Sequence, residues 1–416
     1  MVSRSLAVGR ECARSLPREV LCLPHPVLAR PVIVHCLNPL SSPPHAERVL
    51  IIRLGAMGDV VRTLPALQAL RVAYPDAHIS WLVEKRAAGV LEGRDDLDRV
   101  IQFPREHLMD LFRRRQFDEL WRQLTGFVRA LRAEQFDLVI DFHAILKSGV
   151  LAMLSGARTR VSYSRPFSRE WSFLFANHRA RLSPHKMSRY DRNAGLLKFL
   201  AIDSVETAIL AVDKAADTRM GLALNGSKAW ILIHPGSSSG ADYKRYRPSG
   251  YADLARGLKR RTGLDSIVAL GTSAEERALA EEIVAGSRGA ARLAPATSDL
   301  AELIALIDRA RLFVGSDSGP LHLATSLGTP AVQIMGPTDP IENEPRRGTH
   351  WKRVRLPVPC SPCRRGCAQA TCMAIIPHDL VLEAALECLA DSRNSSTAKR
   401  MALSRTPAVA IAQPWT

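Results

Sequence analysis

No uninterrupted apolar run in the chain approaches the ~20 residues a helix needs to cross a bilayer. Aromatic residues make up only 6% of the 416 positions. That is a thin supply for base-stacking platforms, and no DNA- or RNA-reading motif is present, so no nucleic-acid partner is expected. No G-x-G-x-x-G follows any predicted strand, which weakens a nicotinamide-dependent dehydrogenase. A secretory core is missing too: Pro24, His25, Pro26 and Arg30 interrupt the early apolar patches, and no clean small-residue cleavage site follows. Acidic side chains are in deficit, 41 against 57 Lys and Arg, leaving a net charge of +16. The eight cysteines, without an export signal, read as mostly free thiols in a reducing cytoplasm.

The excess positive charge favours polyanionic partners, either phosphorylated substrates or an anionic membrane surface. The length favours two domains. Residues 1–47 read as an unstructured extension or an early translation start, although scattered Arg and few acids also fit a transit peptide. From Arg48 the pattern alternates strand and helix. "RVLIIRL" is a buried strand, and a helix from about Asp59 to Ala73 places Val60, Leu64, Leu67 and Leu70 on one face. Strands follow at "HISWLV", "LDRVIQF" and, after a long Arg-rich helical region over about 108–134, at "FDLVIDF". The pattern lapses near 203–228 and restarts at "AWILIHPG", with further strands "SIVALG", "RLFVGS" and "PAVQIMG". Alternation of this kind predicts parallel sheets covered on both faces. The expected units are an α/β domain over 48–222, a second over 223–390, and a disordered tail over 391–416. Ligands in such sheets sit beyond the carboxyl ends of the strands.

Three stretches, "GDVVRTLPAL", "HPGSSSGADYKRYRP" and "VGSDSGPLHLATSLGTP", together resemble the family-9 glycosyltransferases, among them the ADP-heptose:lipopolysaccharide heptosyltransferases. The resemblance covers about Arg48 to Ala390. It implies the GT-B architecture: two Rossmann-like domains facing a central cleft, the first binding acceptor and the second nucleotide sugar. It also implies inverting, metal-independent transfer of heptose from ADP-heptose to a lipopolysaccharide core lipid, with no cofactor. The location expected is the cytoplasm, with peripheral contact at the anionic inner-membrane surface. The same scaffold could serve another nucleotide sugar, or a non-catalytic basic binding protein.

Residue by residue, Asp59 matches the family's general base, a carboxylate that takes the acceptor hydroxyl's proton; the plainer role is a helix cap. Gly55 and Gly58 would let a substrate approach the backbone. Ser318, Gly319 and the N–H groups after Pro320 form a helix start suited to phosphate. The resemblance makes them, with His322, the donor-diphosphate site, with Asp317 at the edge of the sugar pocket. Lys244 would stabilise the departing diphosphate, although Tyr246 and Arg247 stand where the family usually has Trp and Pro. Glu275 is assigned the donor ribose, with Glu276 adjacent and not distinguished from it. Asp95, Asp96 and Asp98 contain a D-x-D read as a solvated turn. Cys360, Cys363, Cys367 and Cys372 could hold zinc, but packing or redox-sensitive thiols is the reading taken.

Overall fold

The computed structural model describes residues 34–203, 210–224, 229–237, 240–271, 273–363, 366–367 and 369–403. In the first half, β1 (His35–Cys36), β2 (Arg48–Ile52), β3 (His78–Glu84), β4 (Arg99–Phe103), β5 (Leu138–Asp141), β6 (Thr159–Tyr163), β7 (His178–Ala180) and β8 (Leu182–Ser183) form two sheets. The larger is wholly parallel with order β4-β3-β2-β5-β6-β7, Leu50 pairing with Ser80 on one side and Val139 on the other. In the second half, β9 (Trp230–His234), β10 (Asp265–Val268), β11 (Ala291–Leu293), β12 (Leu312–Ser316), β13 (Ala331–Ile334) and β14 (Trp351–Val354) form a parallel sheet ordered β11-β10-β9-β12-β13-β14. Both orders are the doubly wound 3-2-1-4-5-6, whose switch points lie between β2 and β5 and between β9 and β12. Continuous apolar strands such as "VLII" in β2 are buried because helices cover both faces.

One face of the first sheet is covered by the helices Arg105–Arg113, Phe117–Ala133 and Leu146–Leu154. The other carries Leu64–Ala73 and Arg189–Phe199. In the second half, the helix His378–Leu403 packs on β12 to β14 and on the helix Pro248–Thr262.

Several expectations are corrected. Ordered chain begins before Arg48: β1 pairs antiparallel with β8, Val34 is buried, and Leu40 N–H donates to Phe199 O at 2.8 Å. Residues 1–33 lie outside the described residues. The helix Lys214–Ala223, placed by sequence in the first domain, packs on Leu300–Asp308 in the second, where Arg219 meets Glu302 at 2.7 Å and Arg309 meets Asp217 at 2.6 Å. The expected tail is helical to Leu403, because its helix starts at His378 in contact with the second sheet. The helix expected over Asp59–Ala73 is two, Met57–Val61 and Leu64–Ala73, with Pro65 opening the second. The Arg-rich region also divides, where Arg115 takes the left-handed backbone (φ 58°).

Candidate active site

The two switch points meet. Asp59 lies in the short helix after β2, and Ser318 caps the Gly319–Leu327 helix after β12. A Cβ on Gly58 would sit 3.0 Å from His322 Cδ2 and 3.4 Å from Gly319 Cα, and one on Gly319 would sit 3.1 Å from Met57 Sδ. Gly58 is therefore small because another helix fills the space, not because substrate does. A Cβ on Gly55 would meet nothing within 4 Å.

Asp59 is mostly buried and surrounded by cations. Arg53 pairs with Oδ2; Arg62 Nη1 donates to Oδ1 at 2.7 Å, and Arg189 Nη1 lies 3.2 Å from the same oxygen. Burial by itself would raise the pKa. Arg189, Arg53, Arg62 and Arg192 reverse that and hold the carboxyl well below its usual range. The dipole of the short helix adds to the same effect. Asp59 is thus ionised, as a base must be, but its proton affinity is low until some of these guanidinium groups turn elsewhere.

Arg62 connects the halves. Its Nη1 holds Asp59 and its Nη2 donates to His322 Nε2. A guanidinium can only donate, so Nε2 carries the lone pair and the ring proton lies on Nδ1. Asp317 Oδ1, 3.7 Å from the same nitrogen, is beyond hydrogen-bond reach. Burial, then Arg62, pushes the His322 pKa down to about 4, so it is neutral near pH 7. Its Nδ1 and Ser318 Oγ are both buried without a hydrogen-bond partner. Two unanswered polar atoms at a helix start fit an anionic ligand.

Lys244 Nζ lies 3.6 Å from Asp317 Oδ2. Asp317 also accepts from Thr338 Oγ1 at 2.7 Å. Burial opposes its charge, while the cations Lys244 and Arg62 hold its pKa well below the carboxylate range. The Tyr246 and Arg247 departure is absorbed by packing. Tyr246 is buried edge-on against Tyr251, and its hydroxyl donates to Ile376 O at 2.9 Å; Arg247 donates to Ala374 O at 2.8 Å. Both anchor the loop that presents Lys244.

The two acids at the start of the next helix face different ways. Glu275 is exposed, whereas the Glu276 carboxylate lies at the strand ends, 2.7 Å from where a Gly236 Cβ would be and overlapping one on Gly271. Ser273 caps this helix by accepting from Glu276 N–H at 3.2 Å, which turns Glu276 inward.

Sequence reasoning does not place Arg53, Arg62, Arg189 or Asp141 at this site. Arg62 had a signal, three residues after Asp59 in one helix. Arg189 had none, because it arrives from the start of a distant helix and is fixed by Asn343 Oδ1 at 2.7 Å across the domain junction. Asp141, at the end of β5, accepts from His143 N–H, Ala144 N–H and Ser148 Oγ at 2.9, 3.1 and 2.8 Å. Burial nonetheless pushes its pKa up to about 6. Asp96 and Asp98 are committed to Arg94 and Arg71. Cys372 is buried, Cys363 half-buried, and Cys360 and Cys367 exposed. Among the described residues, no three His, Cys, Asp or Glu side chains converge as a metal site.

The family model "Glycosyltransferase family 9 (heptosyltransferase)" matches residues 124–373. The lipopolysaccharide core heptosyltransferase OpsX of Haemophilus influenzae is 24% identical over 302 residues, covering 72% of this chain and 82% of the relative. Lipopolysaccharide heptosyltransferase 1 of Salmonella typhimurium is 28% identical over 301 residues, 70% and 89% of the two chains. The solved E. coli heptosyltransferase WaaC with ADP-2-deoxy-2-fluoro heptose superimposes with a TM-score of 0.64 at 22% identity, covering 81% of this chain and 98% of that one.

Proposed function

Because the chain belongs to glycosyltransferase family 9, we propose that it moves heptose from ADP-heptose to a lipopolysaccharide core acceptor with inversion at the anomeric carbon. One observation carries the reading: a single side chain, Arg62, touches both Asp59 and His322, so base and diphosphate cradle share one gap. An acceptor hydroxyl beside Asp59 would lose its proton as its oxygen attacks the anomeric carbon from the face opposite the diphosphate. The bond to the diphosphate breaks, and its charge develops toward Lys244, Ser318 Oγ, His322 Nδ1 and the N–H groups opening the 319–327 helix. Glu276 accepts from the ribose hydroxyls. An acceptor rich in carboxylate and phosphate competes with Asp59 for Arg53 and Arg189, which raises the basicity of Asp59 as substrate arrives.

These donors answer the leaving charge without a divalent cation, which supports metal-independent transfer; EDTA should leave the rate unchanged, and inhibition reversed by Mg²⁺ would overturn this. The cytoplasm, with peripheral contact at the inner membrane, is the location we propose. The charge of +16 supports the contact, and no described helix is long and apolar enough to cross a membrane. The deciding experiment supplies ADP-heptose and a heptose-deficient core lipid and follows ADP release. ADP is expected; silence together with turnover of UDP- or GDP-sugars would replace the donor.

A further inference from the structure

We propose that the connection from β6 to β7, residues 164–177, with the adjoining end of the Leu146–Leu154 helix, is a docking face for an anionic lipid bilayer. Between 158 and 186 the chain carries seven Lys and Arg against one acid, Glu170. Trp171 is 62% exposed, Leu174 60% and Leu146 44%. Arg165 stacks over the Trp171 ring at 4.3 Å and lies 5.1 Å from the Phe173 ring, and Arg179 lies 5.6 Å from the same ring. The outcome is an apolar tip rimmed by guanidinium groups that form no ion pair among the described residues, while Lys186, the last of the seven cations, is paired with Asp339 at 2.8 Å.

The tip is held rigidly. Glu170 and Trp171 both take left-handed backbone (φ 51° and 61°), a conformation side chains rarely adopt without surrounding support. The support is visible. Arg169 N–H donates to Ala144 O at 2.9 Å, Glu170 accepts from Leu146 N–H at 3.2 Å, and Phe175 packs so tightly on the helix that a Cβ on Gly149 would lie 3.0 Å from its ring. Tryptophan beside arginine suits the headgroup level, where one end of the ring is apolar and the other wet. A second copy of this chain is disfavoured there by like charge.

A second exposed apolar set, Phe112, Phe117 and Trp121, lies on the same helical layer. Its arginines are partly neutralised: Arg114 pairs with Asp110 at 2.9 Å and Arg122 with Glu119. Charge complementarity therefore selects the Trp171 face.

The inference rests on an acceptor carried by a membrane lipid, and its test is separable from that reading. The full chain is sedimented with vesicles of phosphatidylcholine, with and without phosphatidylglycerol. Binding is expected only with the anionic lipid and should weaken with added NaCl. Arg165→Glu with Arg179→Glu should lower the partition at least about tenfold, and Trp171→Ala about fivefold, while Trp121→Ala leaves it unchanged. Each variant should keep the wild-type rate on a delipidated, water-soluble acceptor; should the double reversal lose its fold, Arg165→Gln takes its place with a smaller loss expected. Wild-type partition in the double variant, equal binding to neutral vesicles, or a Trp121→Ala loss matching that of Trp171→Ala would overturn the proposal. So would capture by an acidic protein or heparin with no dependence on Trp171. Vesicle binding without transfer to the soluble acceptor would sink the transferase reading and leave the docking face standing.

Discussion

At the first switch point a carboxylate is ringed by guanidinium groups; at the second, a helix start holds a neutral histidine and a serine hydroxyl that nothing answers. Strand order is the same in both halves, so the backbone alone cannot account for the difference. Side chains set it. The first site is over-supplied with positive charge, Arg53, Arg62 and Arg189 meeting the one carboxylate of Asp59. The second has donors left over and gains by binding an anion. On the function proposed above, two copies of one architecture divide the reaction, the first holding the base and the second the leaving group.

The strongest way to break this division is to remove the base. Asp59→Asn should lower turnover by at least about 100-fold, while ADP affinity measured by calorimetry stays near wild type. Near-normal turnover would leave Asp59 as only a helix cap. On the other side, Lys244→Met should lower kcat by about 10- to 100-fold, with a smaller change for a donor carrying a better leaving group. Equal losses on both donors would mean that Lys244 serves ground-state binding rather than the departing charge.

Arg62 sharpens the comparison because it belongs to both sites. Arg62→Gln takes a positive charge from beside Asp59 and frees the His322 lone pair. The Asp59 carboxyl then titrates higher, so the acid limb of the kcat/KM profile should move upward in pH. An unmoved limb would show that Arg62 acts only in packing.

The fold was legible where the strands are long and apolar. β2, β3, β5, β9 and β12 are buried central strands, and their runs of Val, Ile and Leu announce them. β6, β7, β11 and β14 carry a weaker signal, being short or mixed with Arg, Lys and His and lying at or next to the sheet margins. Of the site, the local parts were readable: Pro320 and the helix start, Asp59 after its strand, Lys244 in its loop. Which of Glu275 and Glu276 points inward depends on which way one helix turn faces. Arg189 depended on a contact between residues 154 apart in the chain, which no periodicity reports.

The smallest effect expected concerns acid stability, and it separates the halves once more. His322 in the second half and His143 in the first have pKa values pushed down by burial to about 4 and about 3. Unfolded, each would titrate near the ordinary 6.5, so the unfolded chain takes up protons that the fold refuses. Their contribution is present above about pH 6.5 and lost as the pH falls toward 4, at up to about 1.4 kcal/mol per pH unit for each group. Asp141 works the opposite way. Its pKa is raised by burial to about 6, so the fold takes up a proton there before the unfolded chain does, and acidification to that range stabilises. Thermal midpoints measured from pH 7 to 4.5 should therefore fall, and Asp141→Asn should make the fall steeper, because it removes the one opposing group among these three. A shallower fall in Asp141→Asn would mean that Asp141 is ionised in the native protein and belongs electrically with Asp59, not against the histidines.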